Sequence, residues 1–296
     1  MSERLQSALS ETAEFVDDAL GLIMPTTMGS EARVVDAMRY AAMGGGKRLR
    51  AFLALQTGHL FGVDRRAMGR VAAAIECIHA YSLVHDDLPA MDNDSVRRGK
   101  PTVHKAFDEA TAILAGDALL TLAFGVLAAA DTHPDPHVRC DLVGKLALAA
   151  GAHGMVGGQM MDMSAPGRQL DIGEVTRLQR LKTGALFAFS CDAGATMGQA
   201  SPQNHQAING YAHDLGLAFQ IADDLLDETG EQASTGKAVA KDEKAGKATF
   251  VTILGIERAR EQAQRLAAQA VQHLDLFDEK ADLLRDLADF VVARRG

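Results

Sequence analysis

The chain has no tryptophan, only three tyrosines, seven prolines and three cysteines in 296 residues. Each shortage excludes something. Cys77, Cys140 and Cys191 are odd in number and far apart in sequence, so neither a disulfide framework nor a zinc spacing is read, and a reducing cytoplasm is the expectation. Few prolines and few alternating β-branched runs leave little case for strands. A composition 47% hydrophobic but 5% aromatic instead suits a large Ala- and Leu-rich helical core. The N-terminus lacks a basic region followed by an apolar one, so no secretory signal is read there. No run of about 18 apolar residues occurs, so nothing is expected to span a membrane. A net charge of -9 argues against a general nucleic-acid binder.

What is present is local contrast. Bases cluster at Lys47, Arg48 and Arg50, at Arg97, Arg98 and Lys100, and at Lys237, Lys241, Lys244 and Lys247. Local bases in an acidic chain suit a small anionic ligand better than a polyanion. Helical periodicity predicts helices over Ser2–Leu22, Ala32–Met43, Leu49–Phe61, Val71–Leu88, Ala106–Ala130, His137–Gln159, Ile172–Met197 and Gln203–Asp227, with others inside Thr249–His273 and Lys280–Arg294. No low-complexity linker divides the chain, so a single all-α domain over residues 1–296 is expected.

Two stretches carry acids where an apolar helix should not want them. In "SLVHDDLPAMDNDSVRRGKPT", Asp86 and Asp87 fall in the last turn before Pro89, against the negative pole of the helix dipole. His79, Ser82 and Asp86 share a face below that end. In "AFQIADDLLDETG", Phe219, Gln220, Asp223 and Asp227 form a second polar stripe in an apolar helix. One such cluster is usually a solvated helix end; two, each closing an apolar helix, argue for a ligand. Carboxylates without His or Cys suit hard cations, above all magnesium, which keeps waters and bridges to phosphate. The neighbouring bases then complete a diphosphate site.

These stretches, with "GGGKRLR", "GDALL", "GGQMMDM", "LKTGALF" and "GKATF", occur in family order along nearly the whole chain. The sequence resembles the trans-isoprenyl diphosphate synthases, especially the bacterial farnesyl and geranylgeranyl diphosphate synthases. The resemblance implies an orthogonal helical bundle around a deep central cavity, and a homodimer. It implies a prenyltransferase that joins isopentenyl diphosphate to allylic diphosphates. Asp86, Asp92 and Asp223 would ligate three magnesium ions, with Asp224 and Asp227 in the outer shell. Lys47, Arg50, His79 and Arg98 would hold the diphosphate of isopentenyl diphosphate. Arg97, Lys182, Lys237 and Lys247 would clamp the allylic diphosphate, and Thr183 and Gln220 would flank the allylic cation. Ala51 stands where the family usually has Pro, which bears on a helix start rather than on the site.

Chain length in this family is set four and five residues before the first acid, here Ser82 and Tyr81. An aromatic there, together with the two-residue insertion "PA" in the motif, implies a fifteen-carbon product, with the twenty-carbon product as the alternative. The Thr229–Lys247 stretch, rich in Gly and Lys, reads as a lid. "GGQMMDM" reads as helix packing, with Asp162 a candidate site residue, and Arg294 and Arg295 as a solvated terminus, although a C-terminal base reaches the site in some members of the family. A class I terpene cyclase is the nearest alternative, because Asp223, Asp224, Asp227 and Glu231 echo its second metal motif. A cyclase would leave the second diphosphate site without a purpose. A non-catalytic synthase subunit would lack an acidic motif, and both are intact.

Overall fold

The computed structural model describes residues 1–43, 45–229 and 249–294, and these are helical almost throughout. The helices are α1 (Glu3–Ile23), α2 (Ala32–Ala42), α3 (Leu49–Leu60), α4 (Arg65–Asp86), α5 (Val103–Ala106), α6 (Glu109–Ala128), α7 (Pro136–Ala150), α8 (Met155–Met163), α9 (Ile172–Gln179), α10 (Ala185–Met197), α11 (Pro202–Thr229), α12 (Phe250–Leu254), α13 (Ile256–His273) and α14 (Asp282–Ala293). Between α4 and α5 the chain makes a small antiparallel hairpin, β1 (Val96–Arg97) against β2 (Lys100–Pro101), with Val96 opposite Pro101.

Local chemistry explains most boundaries. Ser2, Asp64, Asp108 and Asp135 each cap a helix by accepting backbone N–H bonds, and Asp171 with Glu174 forms a capping box. The Asp64 cap starts α4 at Arg65, a full turn and more before the expected Val71. The expected helix His137–Gln159 is two helices, α7 and α8, with the break at Gly151–Gly154. The expected helix Ile172–Met197 runs through, but a π turn at Arg180–Gly184 separates α9 from α10.

The core falls into two apolar clusters. One gathers α4 and α6 with their neighbours through Leu20, Met68, Ile75, Leu119 and Leu142. The other joins α3, α10, α11, α13 and α14 through Phe52, Phe187, Tyr211, Leu266 and Leu287. Burying each such side chain stabilises the fold by roughly 1.5–3 kcal/mol. α4 belongs to the first cluster along nearly its whole length, so it is a fixed rod with its acid end carried to the surface of the core.

Among the described residues, α6 alone is long and apolar enough to cross a membrane by length and composition, and 44% of its most apolar window is buried in the fold. It packs against α4, while Ile113 and Leu114 remain exposed.

Candidate active site

The first acidic helix end is built by α4 and a tight turn. Asp92 N–H donates to the Asp86 carbonyl at 2.8 Å, which folds Asp92 back beside the helix end. Asp86 is half-buried, and Gln159 Nε2 of α8 donates to its Oδ1 at 2.6 Å. Burial pushes its carboxyl up to about 6; the Lys182 ammonium opposes that rise and the Asp92 charge adds to it. Asp87, the C-cap, is only 2% exposed and is gripped by Arg97, with Nε at 2.9 Å and Nη2 at 2.6 Å. Burial opposes Arg97's charge, yet the bond to Asp87 holds its guanidinium above the usual range. Arg97, expected in the clamp on the allylic diphosphate, pairs with Asp87 and lines the cleft described below.

The second end is built by α11. Gln220 and Asp223 are hydrogen-bonded, and Arg294, just past α14, reaches Asp223 Oδ1 at 3.0 Å while lying 4.4 Å over the Phe219 ring. Burial raises the Asp223 carboxyl, against the pull of Arg294 and then of Lys47. Asp224 Oδ2 accepts the Phe250 N–H at 2.9 Å, which pins the start of α12 to α11.

The bases gather between these ends. In the "GGGKR" turn, Gly46 has φ of 131°, and a Cβ there would meet the Arg98 guanidinium at 2.8 Å. Arg98 donates to the Gly45 carbonyl. Lys47 is exposed, and Arg50 lies 5.0 Å over the Phe187 ring. Burial lowers the Arg50 guanidinium to about 10, with Glu76 opposing and Arg98 adding to the drop. His79 is held well below its ordinary value, first by burial and then by Arg50, Arg98 and Arg97, so it is neutral at pH 7. His79, Arg97 and Arg98 line a cleft of about 550 Å³, counting its open mouth.

Lys182 sits in the π turn, a local widening often found at functional sites. Its ammonium pairs with Asp162 of α8 at 2.6 Å, and Thr183 follows in the same turn. Gly158 lets α8 approach the π turn closely, since a Cβ there would come within 2.2 Å of the Lys182 backbone nitrogen. "GGQMMDM" is therefore more than packing: Gln159 and Asp162, i and i+3 on one face, bond an acid and a base of the site. That spacing was visible in sequence; the partners were not. Arg294 follows the alternative reading, a C-terminal base that reaches the second acidic stretch, rather than the solvated terminus, and nothing local in sequence marks its partner. Tyr81 is buried with its ring edge-on to His85 at 5.8 Å, and Ser82 Oγ donates to the His79 carbonyl at 2.9 Å. Lys237, Lys247 and the expected lid lie outside the described residues.

Among the described residues, no three carboxylate, imidazole or thiol groups converge into a metal cluster. The candidate ligands Asp86, Asp92 and Asp223 are nevertheless oxygen donors beside bases. That set fits magnesium, whose remaining positions water and phosphate fill.

The polyprenyl synthetase family pattern matches residues 31–287. A farnesyl diphosphate synthase of Escherichia coli (strain K12) is 46% identical over 269 residues, covering 88% of this chain and 89% of its own. A farnesyl diphosphate synthase of Geobacillus stearothermophilus is 42% identical, covering 98% of both. Among solved structures, an FPP/GFPP synthase from Zymomonas mobilis superposes with a TM-score of 0.89 at 50% identity, over 99% of this chain and 100% of that one.

Proposed function

Because the chain belongs to the polyprenyl synthetase family, we propose that it condenses isopentenyl diphosphate with dimethylallyl and then geranyl diphosphate to give farnesyl diphosphate. The reading is carried by one observation: bases for two diphosphates, Lys47, Arg50, His79 and Arg98 on one side and Lys182 on the other, lie with two acid-bearing helix ends.

Each diphosphate carries roughly three negative charges, and bringing two together in a half-buried site is costly unless cations meet them. Lys47, Arg50 and Arg98 meet the diphosphate of isopentenyl diphosphate, and neutral His79 donates an N–H to it without adding charge. Lys182, held by Asp162, aims at the allylic diphosphate. Lys237 and Lys247 belong to the same clamp in this reading. Asp86, Asp92 and Asp223 would hold magnesium, three ions in the family arrangement; when bound, it supplies positive charge to the departing pyrophosphate. Thr183 and Gln220 present oxygen dipoles to the allylic cation left behind. The double bond of isopentenyl diphosphate attacks that cation. A proton then leaves the adduct, and the released pyrophosphate is the base that takes it. The apolar helix walls keep water from the cation.

Tyr81 is assigned as the floor that stops growth at fifteen carbons, with Ser82 beside it; a geranylgeranyl product is the competing reading. Exposed Leu148, Val156 and Met160 on α7 and α8, with Ile113 and Leu114 of α6, support a homodimer that buries these side chains. Cys77, Cys140 and Cys191 are all free thiols, in keeping with a cytoplasmic enzyme.

Labelled isopentenyl diphosphate and each allylic starter (five, ten or fifteen carbons), incubated with magnesium, test the reading after the products are dephosphorylated and sized. A fifteen-carbon alcohol from the two shorter starters is expected. A twenty-carbon alcohol keeps the site and overturns Tyr81 as floor. Hydrocarbon release without use of isopentenyl diphosphate makes the chain a cyclase.

A further inference from the structure

Glu76 is a buried acid that the reaction does not use. It sits in the middle of α4 among Ala72, Ala73, Ile75 and Ala80, and is 3% exposed. An ionised carboxylate there is expensive unless a cation joins it. That cation is Arg48, 5% exposed, whose Nη1 donates to Glu76 Oε2 at 2.8 Å. Arg48 Nη2 donates to Asp17 Oδ1 of α1 at 2.6 Å and to the Ala42 carbonyl at the end of α2 at 2.7 Å. One guanidinium thus ties three helices together.

Arg48 also holds an unusual backbone. Its φ is 47°, left-handed for a residue with a branched environment and no side-chain cap, and it starts α3. Such a conformation is strained for a non-glycine residue and persists only where the surroundings hold it. Its chain neighbour is Lys47, and Arg50 follows two residues later in the first turn of α3. His79 lies one turn beyond Glu76 on α4. The same buried pair therefore sets the entry of α3 against the α4 turn that carries His79.

We propose that Glu76, acting through Arg48, is a positioning residue for the isopentenyl diphosphate site: it fixes the left-handed turn that points Lys47 and Arg50 at the diphosphate beside His79. This rests on the assignment of those three residues under the proposed function. Arg48 acts from behind the site in this proposal: its two terminal nitrogens are committed to Glu76, Asp17 and the Ala42 carbonyl, and the residue is 5% exposed at the back of the cleft that His79 and Arg98 line.

The test compares Glu76→Gln, Asp17→Asn and Lys145→Met with wild type. Lys145 pairs with Asp192 at 2.6 Å elsewhere in the fold, so its loss reports a broken ion pair remote from the site. Glu76→Gln is expected to raise the KM for isopentenyl diphosphate about tenfold or more, with kcat and the KM for geranyl diphosphate within about twofold. Asp17→Asn, which leaves the buried pair intact, is expected to raise it about threefold. Calorimetric titration of isopentenyl diphosphate into metal-free protein is expected to weaken in the same order, and Lys145→Met to change neither quantity. If Glu76→Gln does not fold, the Asp17→Asn result decides. The proposal fails if Asp17→Asn and any folded Glu76→Gln lower only the melting temperature, or if both diphosphates weaken equally. Failure of the wild type to consume isopentenyl diphosphate would instead overturn the proposed function, which separates the two ideas.

Discussion

The two acidic helix ends solve the same problem in different ways. At the end of α4, Asp86 is met by a neutral amide, Gln159, while its neighbour Asp87 takes the arginine. Near the end of α11, Asp223 itself takes an arginine, Arg294, while its neighbour Asp224 caps α12. The first end leaves its candidate ligand short of cation, and its carboxyl rises to about 6. The second keeps a cation in place that a bound metal must share or displace. Asp86 and Asp87 close α4, where carboxylates are costly against the helix dipole, whereas Asp223 and Asp224 lie more than a turn inside α11, and the lesson is that the fold meets each acid with whichever element lies alongside.

The comparison is broken most severely by Asp86→Asn, which removes the ligand but keeps the Gln159 contact. A fall in kcat of about 10²–10³-fold is expected from loss of one charge-stabilising group, read in steady-state assays at saturating magnesium. Next comes Gln159→Ala. Removing an orienting partner of a ligand costs about 10–100-fold in metal affinity, measured as manganese binding by electron paramagnetic resonance and as a raised magnesium requirement; kcat at saturating metal should recover.

The elevated Asp86 carboxyl sharpens the contrast through pH. Its folded pKa of about 6 lies above the ordinary value of 3.8, so its protonated form is favoured by folding. Ionising it costs stability that is absent below pH about 4, grows between about 4 and 6, and is constant above. Metal binding needs the carboxylate, so the magnesium concentration for half-maximal rate should rise about tenfold per pH unit below 6. A flat metal requirement between pH 5 and pH 7 would contradict the assignment. The smallest effect belongs to Arg294→Met. Asp223's side chain is 41% exposed, so solvent screens the pair, and about 1 kcal/mol or less is expected. Thermal denaturation would show this as a drop of about 2 °C, against no measurable change for Arg260→Met at the exposed α13 pair with Glu257.

Much of this was legible in sequence for a simple reason: helical periodicity and i,i+3 spacing are local. The polar stripes His79–Ser82–Asp86 and Gln220–Asp223–Asp227 could be drawn without coordinates. Where the reading failed, the cause was equally specific. The break between α7 and α8 hides in "GAHG" within an otherwise continuous helical pattern. The early start of α4 depends on a single cap at Asp64. The partners of Asp87, Asp162 and Asp223 were invisible because each lies on another element.

The sequence alone determined the helical class, the two acid-bearing ends and the bases that accompany them, since residue type and spacing along one helix are enough for that. Only the tertiary structure decided which of the charges already meet an acid of the chain. Arg48, Arg97 and Arg294 look alike in sequence to Arg50 and Arg98. The first three meet Glu76, Asp87 and Asp223. Pairing between charges depends on distance in three dimensions, and the chain brings these residues together only when separate helices pack against one another.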